Sequence, residues 1–510
     1  MSNKNASNRA KRRDYFNTDH LKTDLKQRSV RGGIITIAAQ ASKFILKFGS
    51  TVVLARLLAP EDYGLIGMAA VVIGFVEYFK DLGLSTATIQ RQKINHQQIS
   101  TLFWINLGVG CLVALIVAGI APAIASFYKE PRLEGITQAL AINFVFGGLT
   151  VQHQALLRRQ MQFTSLAKIE IVAMAMGVAA AVISGYYGLS YWALVLMLMI
   201  TALTNAIGVW LACGWRPGLP RTDSEIGSML AYGGNLTGFG LVNYFSRNLD
   251  NILIGRRWGS GQLGLYAQAY RLLLLPIQQI NYPINSVALP TLSSLQTEPE
   301  QYSRYYYKAI LLITTLGMPI VAFMFAAADD LILLILGKQW LGVVPLFKFL
   351  MPAAFVGTFN VAGGWVYQSL GRTDRQFRVG MVMAAINSLI FFISVNWGAL
   401  GVAKAYGISQ PILIMFALNY CYWGTNLKFG DFIKTIFKPA LASIGAAVIL
   451  IGINHFILAI ASNLLLSLSI DCVLYGLLYL MLWLVLPGGK KTLLEIAGVL
   501  KIMKQKSRSQ

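Results

Sequence analysis

The sequence predicts an all-α polytopic membrane protein of about fourteen transmembrane helices, built as two parallel-repeat six-helix bundles around a central cavity plus two C-terminal helices. Three observations carry that expectation. Of 510 residues 56% are hydrophobic and only 13% charged, against roughly 25% charged in a soluble domain, so most of the chain must meet lipid rather than water. The apolar residues come in runs of about 20, the length at which a rise of about 1.5 Å per residue crosses about 30 Å of hydrocarbon. Basic residues, finally, collect in alternate breaks between those runs.

Taken in order, the chain opens on a polar, basic tail, 1–33, without the apolar core or small-residue cleavage site of a secretory signal, so the first span belongs to the fold. Spans at 34–58, 62–84, 99–127, 136–156, 166–187 and 190–213 make a first lobe, 34–213. A cytoplasmic linker, 214–226, carries Trp215-Arg216-Pro217-Gly218, a break of the kind that Pro, Gly and polar residues make at an interface. A second lobe, 227–422, holds spans at 227–255, 262–289, 303–327, 342–370, 377–396 and 399–422. A last pair, at 432–460 and 464–486 within 423–486, precedes a basic tail, 487–510. Connections of about twenty residues or fewer leave no room for a soluble catalytic domain. Pro276 and Pro283 in the eighth span, Pro345 and Pro352 in the tenth and Pro411 in the twelfth predict bent helices in the second lobe.

Sorting the 43 Lys and Arg by side places 31 with the two tails and six opposite them: Arg56, Lys129, Arg132, Arg256, Arg257 and Lys338. Positive residues stay in the cytoplasm, so both termini are expected there, in a multi-pass protein of the bacterial inner membrane. The net charge of +22 is thereby accounted for by orientation, and without a basic stripe interleaved with aromatic platforms it does not indicate nucleic acid. Cys111, Cys213, Cys421 and Cys472 lie singly in or beside apolar runs and read as small buried residues, with no metal or other cofactor implied.

The halves resemble each other. At an offset of 200, Leu54-Ala55-Arg56 aligns with Ile254-Gly255-Arg256, Tyr63-Gly64-Leu65 with Leu263-Gly264-Leu265, and Gly33 with Gly233. At 214, Leu156-x-Arg158 and Gln162-Phe163 match Leu370-x-Arg372 and Gln376-Phe377, placing the same basic turn after the fourth span of each set. Six spans separate equivalent points, so both halves enter the bilayer from one side, which defines a parallel repeat.

Six cations, Lys43, Lys47, Arg247, Arg271, Lys348 and Lys404, fall within spans, as does Asp250. A charge at the bilayer centre costs at least about 2.5 kcal/mol, so these side chains should face a cavity or a partner. Lys404, near the external interface, is expected to snorkel. Lys43, Lys47, Arg247, Arg271 and Lys348 are the candidate substrate-binding residues, and an excess of cations over anions suits an anionic ligand such as a diphosphate headgroup. Arg247 and Asp250, three apart, could instead pair with each other, and Asp250 could carry a coupling ion.

The stretches Leu54-Ala-Arg-Leu-Leu-Ala-Pro-Glu-Asp-Tyr-Gly64, Asp81-Leu-Gly-Leu-Ser-Thr-Ala-Thr-Ile-Gln90, Leu157-Arg-Arg-Gln-Met-Gln-Phe163, Asp250-Asn-Ile-Leu-Ile-Gly255 and Gly264-Leu-Tyr-Ala-Gln-Ala-Tyr-Arg271 resemble the Wzx-type polysaccharide flippases. These are a branch of the multidrug, oligosaccharidyl-lipid and polysaccharide exporter superfamily, and the likeness is to its colanic and teichuronic acid exporter-like members. The resemblance implies two six-helix lobes plus two helices, and alternating-access flipping of an undecaprenyl-diphosphate-linked oligosaccharide for exopolysaccharide, O-antigen or capsule export. It implies a polyprenyl-diphosphate-linked oligosaccharide and membrane lipids as partners, a polysaccharide polymerase or export machinery as a further candidate, and a monomer. By position, Lys43, Lys47, Arg247 and Arg271 would line the cavity.

Two other classes compete. A cation-coupled exporter of small amphiphiles would want acids deep in a lobe, where the first six spans offer Glu77 and Glu170. A membrane glycosyltransferase or polymerase would need a general base or metal ligands on an external loop, whereas His20, His96, His153 and His455 are scattered and the external carboxylates, Glu61, Asp62, Glu130, Glu134, Asp329 and Asp330, are few. The protein is therefore expected to be a transporter rather than an enzyme.

Overall fold

The computed structural model describes residue 16 and residues 25–81, 84–91, 94–220, 226–456 and 463–490. The tails 1–33 and 487–510, the linker 214–226 and the stretch Asp81–Gln90 lie in part outside the described residues, and so does the side chain of Glu77. Among the described residues the regular structure is helical, with no strand. The chain divides into two compact units, Met1–Gly261 and Gln262–Gln510.

The first unit contains α1 (Leu25–Leu57), α2 (Pro60–Asp81), α3 (Leu84–Gln90), α4 (His96–Tyr128), α5 (Arg132–Arg159), α6 (Phe163–Tyr186), α7 (Trp192–Ala212) and the beginning of α8 (Ile226–Ser294). Local chemistry sets the helix starts. Pro60 opens α2 with its fixed φ, Glu61 and Asp62 face the positive end of the dipole, and the Asp62 carboxylate accepts the Ala59 N–H at 2.9 Å. Asn95 and Gln98 close a reciprocal capping box on α4, at 2.7 and 3.2 Å.

Helix α8 is broken at Gly259, whose φ of 81° and ψ of −177° leave the helical region at a residue with no Cβ to oppose it. Next to the break, the Ser260 carbonyl oxygen lies 1.8 Å from where a Cβ on Gly64 would sit, so only glycine admits the crossing of α2. Further back along α8, the Tyr244 hydroxyl donates to the Val71 carbonyl at 2.8 Å and lies where a Cβ on Gly74 would be. Residues 226–261 fall in the first unit.

The second unit holds the remainder of α8, then α9 (Pro299–Ala326), α10 (Ala328–Ile335), α11 (Val343–Gly357), α12 (Val361–Ser369), α13 (Thr373–Ser394), α14 (Gly398–Tyr422), α15 (Phe429–Phe456) and α16 (Leu464–Val485). Buried tyrosines fasten it: Tyr302 to Ser369 at 2.7 Å, Tyr306 to Tyr422 at 2.9 Å, and, from the C-terminal pair, Tyr475 to the Ser443 carbonyl at 3.1 Å and Tyr479 to the Thr315 carbonyl at 3.0 Å. In an apolar surrounding an unpartnered hydroxyl is costly, so each of these bonds fixes a register as well as a distance. The tenth span is interrupted between Gly357 and Val361, and α8 departs from helical dihedrals at Gly259, with Pro276 and Pro283 inside it.

Nine segments among the described residues are long and apolar enough to cross a membrane, one of which, Thr373–Tyr422, contains both α13 and α14. The protein is a multi-pass helical membrane protein. Two of these segments, Arg132–Arg159 and Val343–Ser369, are the least apolar and also the most buried, at 67% and 61% of the span against 22% for α6 and α7. They are the fourth and tenth spans, equivalent under the sequence repeat. A helix surrounded by protein rather than lipid can carry polar residues whose partners lie on neighbouring helices, which is what both sequences do.

Candidate functional site

The intramembrane charges begin on α1. Lys43 and Lys47 are one turn apart on the helix. The Lys43 ammonium donates to Glu170 Oε2 on α6 at 2.6 Å, the two side chains being 20% and 38% exposed. Pairing converts the cation that the sequence offered as substrate-binding into half of an inter-helix bridge, and the partner is one of the two acids noted in the first six spans. Lys47 is exposed one turn further on.

Arg247 and Asp250 lie on the part of α8 that belongs to the first unit. Arg247 is exposed. Asp250 is buried and its Oδ1 accepts the Asn251 N–H at 2.8 Å. Arg271 is half-buried on the second part of α8. Lys348, in the second turn of α11, meets Asp329 at 2.5 Å at the start of α10, both groups being open to the surroundings at 38% and 65%. Of the five candidates, Lys43 and Lys348 are bridged to carboxylates, Lys47 and Arg247 are exposed, and Arg271 is half-buried.

Two features were hidden from the sequence. Arg159, which patterning placed in a basic turn, is buried and donates its Nη1 to the carbonyls of Thr88 at 3.1 Å, Ile89 at 3.3 Å and Arg91, capping the end of α3. Thr88 in turn donates to Gln152 at 2.9 Å, so α3 is fastened to α5 twice. His96 and His153, far apart in the chain, share one aromatic cluster: His153 stacks on Trp210 with centroids 4.5 Å apart, and Trp215 Nε1 donates to His96 Nδ1 at 3.0 Å. Phe16, from the N-terminal segment, packs edge-on against His96 at 6.0 Å. The adjacent tryptophans were the available signal.

At the opposite ends of the helices, Arg132 forks onto both Glu130 oxygens at 2.8 Å, and that hydrogen bonding holds the Glu130 carboxyl below the usual range. Asp62 accepts from Ser190 besides capping α2, so this carboxylate serves structure. Among the described residues there is no group of three or more His, Cys, Asp or Glu arranged to hold a metal.

Residues 53–345 match the sequence profile described as "Polysaccharide biosynthesis protein". The chain belongs to the polysaccharide biosynthesis protein family. The lipopolysaccharide biosynthesis protein WzxC of Escherichia coli (strain K12) is 24% identical over 401 residues, 78% of this chain and 80% of its own. The teichuronic acid biosynthesis protein TuaB of Bacillus subtilis (strain 168) is 25% identical over 408 residues, 79% and 84% of the two chains. Among solved structures, the lipid II flippase MurJ in an inward closed conformation superposes with a TM-score of 0.71 at 13% identity, covering 88% of this chain and 97% of that one. The resemblance to Wzx-type proteins read from the sequence is borne out, and this member of the polysaccharide biosynthesis family has the MurJ fold over most of its length.

Proposed function

We propose that the protein flips an undecaprenyl-diphosphate-linked oligosaccharide across the bacterial inner membrane by alternating access, supplying a surface polysaccharide. One observation carries the reading: a chain of the polysaccharide biosynthesis family adopts, over 88% of its length, the fold of a protein that flips a lipid-linked saccharide. Fourteen crossings with both termini in the cytoplasm follow from the distribution of basic residues, and flipping requires no chemistry, so the protein works as a transporter without a cofactor. Lys47, Arg247 and Arg271 are the cations proposed to meet the diphosphate, with Asp250 as a proposed site for a coupling ion.

The rival, a cation-coupled exporter of small amphiphiles, gains a membrane acid in Glu170. That carboxylate is already neutralised by Lys43, which weakens the rival. Deleting the gene should make the undecaprenyl-linked intermediate accumulate while surface polymer disappears, and the Lys47→Gln/Arg247→Gln double variant should fail to restore polymer. Unchanged lipid pools with altered drug tolerance would instead support the rival, and full polymer export by the double variant would remove both cations from the path.

A further inference from the structure

A cavity of about 480 Å³ opens in the second unit between the end of α13 and the start of α14, a volume within the roughly 300–1,000 Å³ of ligand sites. Its walls are mostly apolar, formed by Ile390, Ile393, Leu400 and Ala405. Three polar features converge on it. Ser394 is 4% exposed, yet its hydroxyl has no hydrogen-bond partner. A membrane serine ordinarily bonds back to its own helix, as Ser388 does one and a half turns earlier, to the Ala384 carbonyl at 2.8 Å. A buried hydroxyl left unpaired marks a place where a partner is missing.

Lys404 lines the same cavity. Its ammonium lies 4.7 Å from the centroid of the Phe349 ring, and among the described residues no carboxylate neutralises it. The expectation that it merely snorkels leaves that ring contact unexplained. The third feature is the positive end of the α14 dipole, whose first-turn residues Leu400 and Gly401 complete the lining, the Gly398 N–H being bonded to the Val395 carbonyl and the Ala399 N–H to Gln262 Oε1 at 2.9 Å. Gly401 lets the end of α13 and the start of α14 meet closely here: a Cβ there would lie 2.6 Å from both the Ser394 carbonyl oxygen and the Trp397 Cβ. Trp397, 68% exposed, stands at the mouth like an interfacial aromatic.

We propose that this cavity is a binding site for a monoanionic glycerophospholipid, its phosphodiester held by Lys404 and Ser394 beside the positive end of α14 and its acyl chain lying along Ile390, Ile393 and Leu400. Charge selects this occupant. One ammonium, one hydroxyl and a partial helix charge balance a single negative charge, whereas a polyprenyl diphosphate would bring about twice that and remain undercompensated. The site stands independently of the transport reading.

The test uses the full-length protein in micelles, titrated separately with phosphatidylglycerol, phosphatidylethanolamine and undecaprenyl diphosphate, with bound lipid counted by native mass spectrometry. Phosphatidylglycerol should be retained about tenfold over phosphatidylethanolamine, the worth of one charge-assisted contact. Lys404→Met, which keeps the stem over Phe349, should cut that preference to about twofold, Lys404→Arg should keep it, and Ser394→Ala should fall between. Equal retention of the two phospholipids, a preference unmoved by Lys404→Met, or stronger Lys404-dependent retention of undecaprenyl diphosphate would each overturn the assignment.

Discussion

The basic turn after the fourth span of each half matches in sequence and differs in what it holds. In the first unit Arg159 turns inward, buried, and caps α3 through three carbonyls. In the second unit Arg372 reaches the carbonyls of Trp423, at 3.0 Å, and Gly424, and Arg375 adds a bond to Trp423 at 2.9 Å, all on an exposed surface at the end of α14. The corresponding end of α7 is capped instead by Arg216, from its own following loop, at 2.9 Å to Cys213 and 3.1 Å to Trp210. The reason is topological: the first unit has a short helix, α3, after its second span, whereas the second passes from α8 to α9 through a turn at Leu295–Glu298 and offers no such helix end. The repeat aligns Arg372 with Arg158 rather than with Arg159, so what the halves share is the basic turn, while the neighbours decide which guanidinium satisfies which orphan carbonyls.

Removing Arg159 should therefore be the most damaging of these changes. Arg159→Met strands the end of α3 in a buried site, and a loss of about 3 kcal/mol or more is expected in equilibrium unfolding in detergent. Less than about 1 kcal/mol would mean that the clamp is redundant with the Thr88–Gln152 bond. Next in size is the bridge between α1 and α6. Glu170→Ala leaves Lys43 unneutralised within a span and should cost about 2 kcal/mol, whereas the Lys43→Met/Glu170→Met pair should recover most of it, because replacing both members removes the charge together with its partner. Additive losses in the double variant would show that Lys43 is stabilised by something other than Glu170.

How far these features could be read from sequence depended on their range. Apolar runs and the sidedness of Lys and Arg are local sums, so helices lie at each expected span, and the fourth and tenth spans could be aligned before their shared burial was visible. Gly64 and Gly74 look like any other helix glycines until Ser260 and Tyr244 are found against them. Helix α3 escaped notice because seven residues are too few for a helical period to stand out. The intramembrane cations were legible as costly, since that follows from residue type and depth. Which of them were bridged was not, because Glu170 is 127 positions from Lys43 in the chain and nothing in either segment names the other.

In the second unit the same substitutions should matter less. Arg372→Ala should cost about 1 kcal/mol, since its carbonyls can turn to water and Arg375 still reaches Trp423. Lys348→Met is expected to be smaller again. The Lys348–Asp329 contact is as short as that of Lys43 with Glu170, but Asp329 is 65% exposed, so solvent and salt already screen the attraction and Asp329 rehydrates when its partner is removed. About 0.5 kcal/mol is the expected loss, and it should vanish in roughly 1 M salt, where the Debye length falls to about 3 Å. A loss above about 2 kcal/mol that persisted in salt would place Lys348 in a water-poor setting and return it to the set of cations available to a substrate. Two ion pairs of nearly equal length would then differ in position alone, with burial no longer separating them.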